Sequence, residues 1–299
     1  MKVRIGFGLG TRTTTNDHER FGGLVDDLDR LGFDSLWVSE RIGADAPDPV
    51  VAMAFAAGRV QRLKFGMSVM VLPGRSPVLV AKALASLDRL SDGRLLPAFG
   101  LGIADPREQQ AFGIGRKERA QVFDEALTIM RALWRGEVLD HRGEYFTYEG
   151  VRVRPQPVQD PLEVWLGGRS AGELRRVGRL GDGWLPSFCD AGDVRSGIAA
   201  VNQAADDAGR AVDPGHFGAL VAYTHDEIPD PFVDFIRQRR PDIDDPHQII
   251  PRGHDGLRTR LEEMVEAGAT KFVVLPMVQP DLWAPELERL AAAVLPLQT

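Results

Sequence analysis

The chain predicts an α/β protein, a (β/α)8 TIM barrel in one domain over residues 1–299, with insertions at the C-terminal face. Three observations lead there. Eight short apolar runs alternate with amphipathic helical patterns almost from end to end. Most of these runs are continuous rather than alternating, as expected of parallel strands covered on both faces. A length of 299 residues suits a barrel of eight such repeats.

In order, the strand-like runs are Val3–Leu9, Ser35–Ser39, Leu63–Leu72, Arg94–Leu101, Leu162–Leu166, Trp184–Phe188, Phe217–Tyr223 and Lys271–Pro276. Between them lie apolar stripes at spacings of three and four, the signature of a helix with one buried face. Phe21, Leu24, Val25, Leu28 and Leu31 form the first, stopped by Gly32. Val80, Leu84 and Leu87 follow, then Phe123, Leu127, Met130, Leu133 and Trp134 up to Gly136. Leu257, Leu261, Met264 and Val265 end at Gly268, and Leu287, Leu290 and Val294 close the chain. Strand–helix alternation argues for a parallel sheet with crossover helices. Two segments exceed a plain barrel: about 104–161, with the Phe123 helix and a hairpin in "EVLDHRGEYFTYEGV", and about 226–255, rich in Pro, Asp and Arg. Segments added after barrel strands are expected at the C-terminal face, where active sites are built.

Composition excludes several classes. A formal net charge of −7 gives no broad electrostatic footprint for nucleic acid or an anionic membrane. No apolar run approaches the length needed to span a bilayer. The start "MKVRIGFGLG" lacks a secretory pattern, and a single cysteine, Cys189, excludes an internal disulfide, so the cytoplasm is the expected compartment. Cys189 has no CxxC partner and is expected to be a buried, inert thiol. Histidines 18, 141, 216, 225, 247 and 254 show no metal-ligand spacing, and no metal site is expected. The tryptophans 37, 134, 165 and 184 sit inside strand or helix patterns and read as core.

The strongest local motif is "WLGGRS", Trp165 to Ser170, at the mouth of a helical pattern. Gly167 and Gly168 would let backbone N–H groups approach an anion, the helix N-terminus adds partial positive charge, and Arg169 adds a fork-shaped cation. The same stretch holds a capping box, Ser170 to Glu173, so Ser170 also reads as a helix cap, and the two readings are compatible. The glycines of "GFGLGT" fail the dinucleotide fingerprint because the third lies two residues, not three, beyond the second. Gly100 and Gly102 end a strand, where glycine leaves room for a flat ligand or a sharp turn. Glu40 and Arg41 follow the second strand, a catalytic position in barrels, although a surface ion pair would place Arg41 equally well.

The ordered segments "FDSLWVSER", "LKFGMSVMVLPGRSPVLVAKALASLDRLSDGRL", "FDEALTIMRALW", "GEYFTYEG", "RPQPVQDPLEVWLGGRS" and "RLGDGW" resemble the bacterial luciferase-like superfamily, and within it an actinobacterial branch of oxidoreductases using the deazaflavin coenzyme F420. The resemblance runs from about residue 3 to 189, with a weaker match from Asp255 to Pro296. It implies a barrel whose C-terminal mouth holds a flavin or deazaflavin ring. A third-strand bulge at Ser68, Val69, Met70 and Val71 would support the ring, with Gly100, Leu101 and Gly102 beside it and Gly167, Gly168, Arg169 and Ser170 around its phosphate. In some members the bulge carries a non-prolyl cis peptide. Related sugar-phosphate dehydrogenases pair an acid with a histidine after strand two; here Glu40 matches the acid, but Arg41 stands where the histidine would be. The glutamate that those enzymes carry after strand four has no counterpart at Ile103. The expected activity is hydride transfer between deazaflavin C5 and a small organic substrate, with Glu40 as the candidate acid/base. The alternatives are an FMN-dependent monooxygenase fed by a separate flavin reductase, and a flavin- or deazaflavin-binding protein without turnover. The resemblance also implies a homodimer.

Overall fold

The computed structural model describes residues 2–103 and 105–299; Ala104, where the first added segment is expected to start, lies outside them. The elements run β1 (Arg4–Leu9), α1 (His18–Leu31), β2 (Ser35–Val38), α2 (Pro49–Arg59), β3 (Lys64–Met67), β4 (Met70–Val71), α3 (Pro77–Leu90), β5 (Leu95–Leu96), β6 (Ala98–Gly100), α4 (Pro106–Phe112) and α5 (Arg119–Trp134). They continue with β7 (Leu139–Arg142), β8 (Thr147–Val151), β9 (Trp165–Leu166), α6 (Ala171–Leu180), β10 (Gly183–Trp184), α7 (Ala191–Asp207), β11 (Gly218–Tyr223), α8 (Asp230–Arg239), α9 (Gly253–Glu266), β12 (Lys271–Pro276) and α10 (Trp283–Val294).

Parallel pairing closes all of these strands except β7 and β8 into a barrel. β1 lies between β12 and β2, β2 pairs with β3, and β11 pairs with β12. The third and fourth staves are each broken in two: β3 pairs with β5 below, and β4 with β6 above. β6 pairs with β9 and β9 with β10, and single bridges Trp184–Phe217 and Ser187–Leu220 join the last gap to β11. The eight expected runs are therefore the eight staves.

The interior is filled by side chains, not left as a pore. Trp37 lies across the barrel, its Nε1–H donating to Ser35 Oγ at 2.9 Å, and Gly6 and Gly66 make the space for it: a Cβ on Gly66 would stand 2.8 Å from its ring. Trp134, Trp165 and Trp184 are buried as expected.

The added segments divide differently from the sequence expectation. α5, the Phe123 helix, is the crossover between the fourth and fifth staves; it buries Phe123, Leu127 and Met130 and packs on α3, where Trp134 Nε1–H donates to Ala81 O at 3.0 Å. The hairpin β7–β8 forms, but it follows the lower end of α5 and folds back along that helix, where Glu125 accepts from Tyr145 N–H (3.0 Å) and Phe146 N–H (2.9 Å). Its tip comes to the mouth end of that helix, where Tyr145 O–H donates to Gln121 Oε1 (3.0 Å), but none of its residues lines the C-terminal mouth. α4 does, and so does α8, which follows β11 and gathers Ile228, Ile236, Ile249 and Ile250 into a small apolar cluster over Phe188. Arg240 fastens that segment by donating to Phe188 O (2.6 Å) and to Asp193 Oδ2 (2.8 Å) while pairing with Asp242.

Candidate active site

At the C-terminal ends of the staves a cavity of about 1050 Å³ opens between Thr11, Glu40, the 68–71 segment, Gly100–Ile103, Gly167–Gly168 and Leu220. Its position follows from topology: each stave ends there and each loop rises from there.

The third stave breaks where the resemblance places the bulge. The Ser68–Val69 peptide is cis, Ser68 N–H donates to Val38 O (2.9 Å), and Ser39 Oγ–H donates to Ser68 O (3.1 Å). Met70 faces the core, 2 % exposed, and Val71 is also buried, whereas Ser68 and Val69 are partly exposed on the cavity wall. Gly100 and Gly102 are explained by this bulge. A Cβ on Gly100 would stand 2.5 Å from Val69 Cγ2, and Gly102, at φ +79°, lies against Val71. Leu101, between them, is half-buried on the cavity wall.

Glu40, at the cavity wall, braces the bulge. Its side chain is 4 % exposed; Oε2 accepts Val71 N–H at 2.7 Å and Oε1 pairs with the Arg75 guanidinium, whose Nε–H also donates to Val71 O at 2.9 Å. Burial pushes the Glu40 pKa above the ordinary carboxylate value, against the opposing pull of Val71 N–H and Arg75. Arg41, at the cavity edge, pairs with Asp105 (3.7 Å) and Glu108 (3.6 Å) at α4, the ion-pair reading of that residue.

The opposite wall is built on the loop before α6. Gly168 has φ +97°, a left-handed conformation open to glycine. The capping box forms: Glu173 N–H donates to Ser170 Oγ at 3.4 Å, while Glu173 Oε2 accepts Arg169 N–H (3.0 Å), Ser170 N–H (2.9 Å) and Ser170 Oγ–H (2.8 Å). The backbone donors that the sequence offers to a phosphate thus hold an internal carboxylate, which sits in the space a Gly168 side chain would fill. Arg169 points to Asp193, 3.6 Å away. Beyond the loop lies an open groove of about 480 Å³ between Arg169, Ser170, Glu173, Phe188 and Arg239, which shares Gly168, Glu173, Ser187 and Arg239 with the cavity wall.

Sequence patterns missed several wall residues. Arg119, at the start of α5, spans the fourth stave's end by donating to Gly102 O (2.9 Å) and Ile103 O (3.2 Å). α8 brings Phe235, Gln238 and Arg239 over the opening. The Arg-rich run at 237–240 was the only local signal for α8's contribution. Cys189 is buried and its thiol is pushed up to about 12 by burial, as expected of an inert cysteine.

A closed parallel barrel with a deep cavity at its C-terminal mouth, a braced bulge on one wall and arginines around the rim is the build of a barrel enzyme. Residues 3–274 match the luciferase-like monooxygenase family, and the chain belongs to that family of enzymes. It is 29% identical over 221 residues to an F420-dependent glucose-6-phosphate dehydrogenase of Segniliparus rotundus, a match covering 69% of this chain and 64% of that protein. The chain thus spans less than two thirds of that relative's length. Its fold superposes with a TM-score of 0.81 on the coenzyme F420-dependent tetrahydromethanopterin reductase of Methanopyrus kandleri, at 17% identity and full coverage of both chains. It superposes at 0.80 on the oxygenating constituent of 3,6-diketocamphane monooxygenase from Pseudomonas putida in complex with FMN, at 19% identity, covering 100% of this chain and 99% of that one.

Proposed function

We propose that the protein is a coenzyme F420-dependent oxidoreductase that transfers hydride between C5 of the deazaflavin and a small organic substrate. The observation that carries this reading is the open groove past residues 167–170, which adjoins the mouth cavity and shares Gly168, Glu173, Ser187 and Arg239 with its wall. F420 differs from FMN in a long anionic tail beyond its phosphate, and that groove offers such a tail an exit beside Arg169 and Arg239. The F420-dependent relative supports the same choice.

The residues fit the coenzyme in kind. The bulge at Ser68–Val71 and the strand end at Gly100–Gly102 offer a flat seat, made by a Val69 that only a glycine at 100 accommodates. Arg169, Ser170 and Arg239 would hold the phosphate and tail. Bound there, the deazaflavin supplies the hydride chemistry. The chain orients the ring against the bulge and excludes water with α8 and α4. Glu40, the mostly buried acid that braces the bulge at the cavity wall, is the group proposed to exchange a proton, with its raised pKa suited to that task. The functional unit is proposed to be a homodimer.

The test is turnover of an alcohol, ketone and enone panel with F420, followed by the deazaflavin absorbance. F420-linked oxidation or reduction of at least one class is expected, with no activity on FMN. Stoichiometric FMN binding with substrate-dependent oxygen uptake, and no response to F420, would establish the flavin monooxygenase instead. F420 bound without any turnover would leave a binding protein.

A further inference from the structure

Away from the mouth cavity, the fold gathers three side chains that local sequence spacing keeps apart. His225 follows the last residues of β11, His254 opens α9, and Glu286 lies in the first turn of α10. The Glu286 side chain is 2 % exposed, and its Oε1 lies 2.9 Å from His225 Nε2 and 2.8 Å from His254 Nε2. The two imidazoles meet edge to face with centroids 4.7 Å apart. Among the described residues these are the one group of three His, Cys, Asp or Glu whose ligand atoms all lie within 4.8 Å of one another.

Two imidazole nitrogens and one carboxylate oxygen are the ligand chemistry of zinc and similar divalent ions, with a fourth position left for water. Ligand atoms around a tetrahedral zinc stand roughly 3.3 Å apart, given metal–ligand distances of about 2.0–2.1 Å. Each His–Glu contact therefore has to open by about 0.5 Å. His225 can give that much, because its side chain is 45 % exposed. Each ring must carry its proton on Nδ1 so that Nε2 presents a lone pair to the ion. The carboxylate is held from behind, as ligating carboxylates commonly are: Tyr223 O–H donates to Oε1 at 2.7 Å and Arg289 Nη2 to Oε2 at 3.0 Å. The Arg289 charge opposes a cation, but the residue is largely exposed and well screened.

The placement gives the cluster a purpose. His225 and His254 bracket the segment that contains α8, and the backbone bridge Thr224–Arg252 already brings its two ends together. We propose that His225, His254 and Glu286 form a divalent-cation site of the zinc class that fastens the base of the 226–252 segment to α10. Because that segment carries Phe235, Gln238 and Arg239 to the cavity wall, the ion stiffens one side of the mouth. The proposal stands whichever cofactor the mouth binds.

Co2+ is the probe of the ligand set and Zn2+ the probe of the clasp. Full-length protein, stripped with a chelator and dialysed, is titrated with Co2+ and followed by its visible absorption. One ion per chain is expected, with the band abolished by excess Zn2+, and binding in His225→Ala weakened at least tenfold. His225 is exposed enough for that variant to fold, which circular dichroism checks. Zn2+ is expected to raise the melting temperature by mass action and to slow tryptic cleavage after Arg237 and Arg239 in the wild type, but not in His225→Ala. Absence of a Co2+ band together with an unmoved melting temperature would overturn the site. Co2+ binding unchanged in His225→Ala would overturn it too, by placing the ion elsewhere. Tryptic cleavage unaffected by bound Zn2+ would overturn the clasp.

Discussion

The two walls of the mouth use glycine in opposite ways. On the bulge side, Gly100 is needed because a neighbouring side chain, Val69, occupies the place of its Cβ. That wall is closed packing, with its polar groups consumed by Glu40 and Arg75. On the loop side, Gly168 is needed for its backbone conformation, and the polar groups face the opening while holding the Glu173 carboxylate. One wall is preorganised and cannot change partners without unpacking. The other already holds an anion, which a ligand phosphate would have to displace. Binding energy for a ring belongs to the first wall, and selectivity among anions to the second.

The largest effect should come from unbracing the first wall. Glu40→Ala leaves Val71 N–H and the Arg75 guanidinium without their buried partner and should cost about 2–4 kcal/mol in denaturant unfolding. Glu40→Gln keeps an acceptor for Val71 N–H and should cost less. If Glu40 exchanges the proton, the Gln variant retains coenzyme affinity and loses turnover. The sign of its pH dependence is set by the raised pKa. The folded protein takes up this proton more readily than the unfolded chain, so Glu40's contribution to stability is fully present below the unfolded value and lost as pH rises through the folded one. That decline should be absent from the stability profile of Glu40→Gln.

Next comes Gly100→Ala, which forces a Cβ to within 2.5 Å of Val69 Cγ2. Overpacking of this kind costs about 1–3 kcal/mol. It should also lower ring affinity more than tenfold, read by coenzyme titration of the folded variant.

The second wall should respond with the opposite sign. Glu173→Gln weakens the cap of α6 by about 0.5–1 kcal/mol. It removes a negative charge from the donors of Arg169 and Ser170, so affinity for a phosphate-bearing coenzyme should rise. A fall in affinity, with the helix intact by circular dichroism, would mean that Glu173 supports the ligand and does not compete with it. The smallest effect is expected at Cys189, buried just before α7. Its buried thiol should not react with a disulfide reagent at neutral pH until the protein unfolds.

Much of the fold was legible in the sequence because barrel strands buried on both faces print continuous apolar runs, and all eight are staves. α2 and α7 were not read as stripes. "PVVAMAFAAGR" is apolar nearly all round, and α7 buries glycine and alanine beside its valines, so neither has a clear periodic contrast. The bulge and strand-end glycines were legible through the resemblance, and the capping box through its spacing. That Glu173 also fills the anion-binding donors was not, since a motif gives a side chain's neighbours along the chain and not its rotamer. Arg75, Arg119 and Arg239 reach the site from three separate loops and helices, and only the closed barrel brings them together. The same limit hid His225, His254 and Glu286.

The most direct measurement is a titration of oxidised F420 and of FMN into the wild type and Gly100→Ala, with both ligands followed by their own absorbance. F420 should bind the wild type more tightly than FMN, and Gly100→Ala should lose more than tenfold of that affinity while remaining folded. Tight FMN binding with no F420 affinity, or F420 affinity unchanged in the variant, would contradict a deazaflavin ring seated on the Val69 bulge.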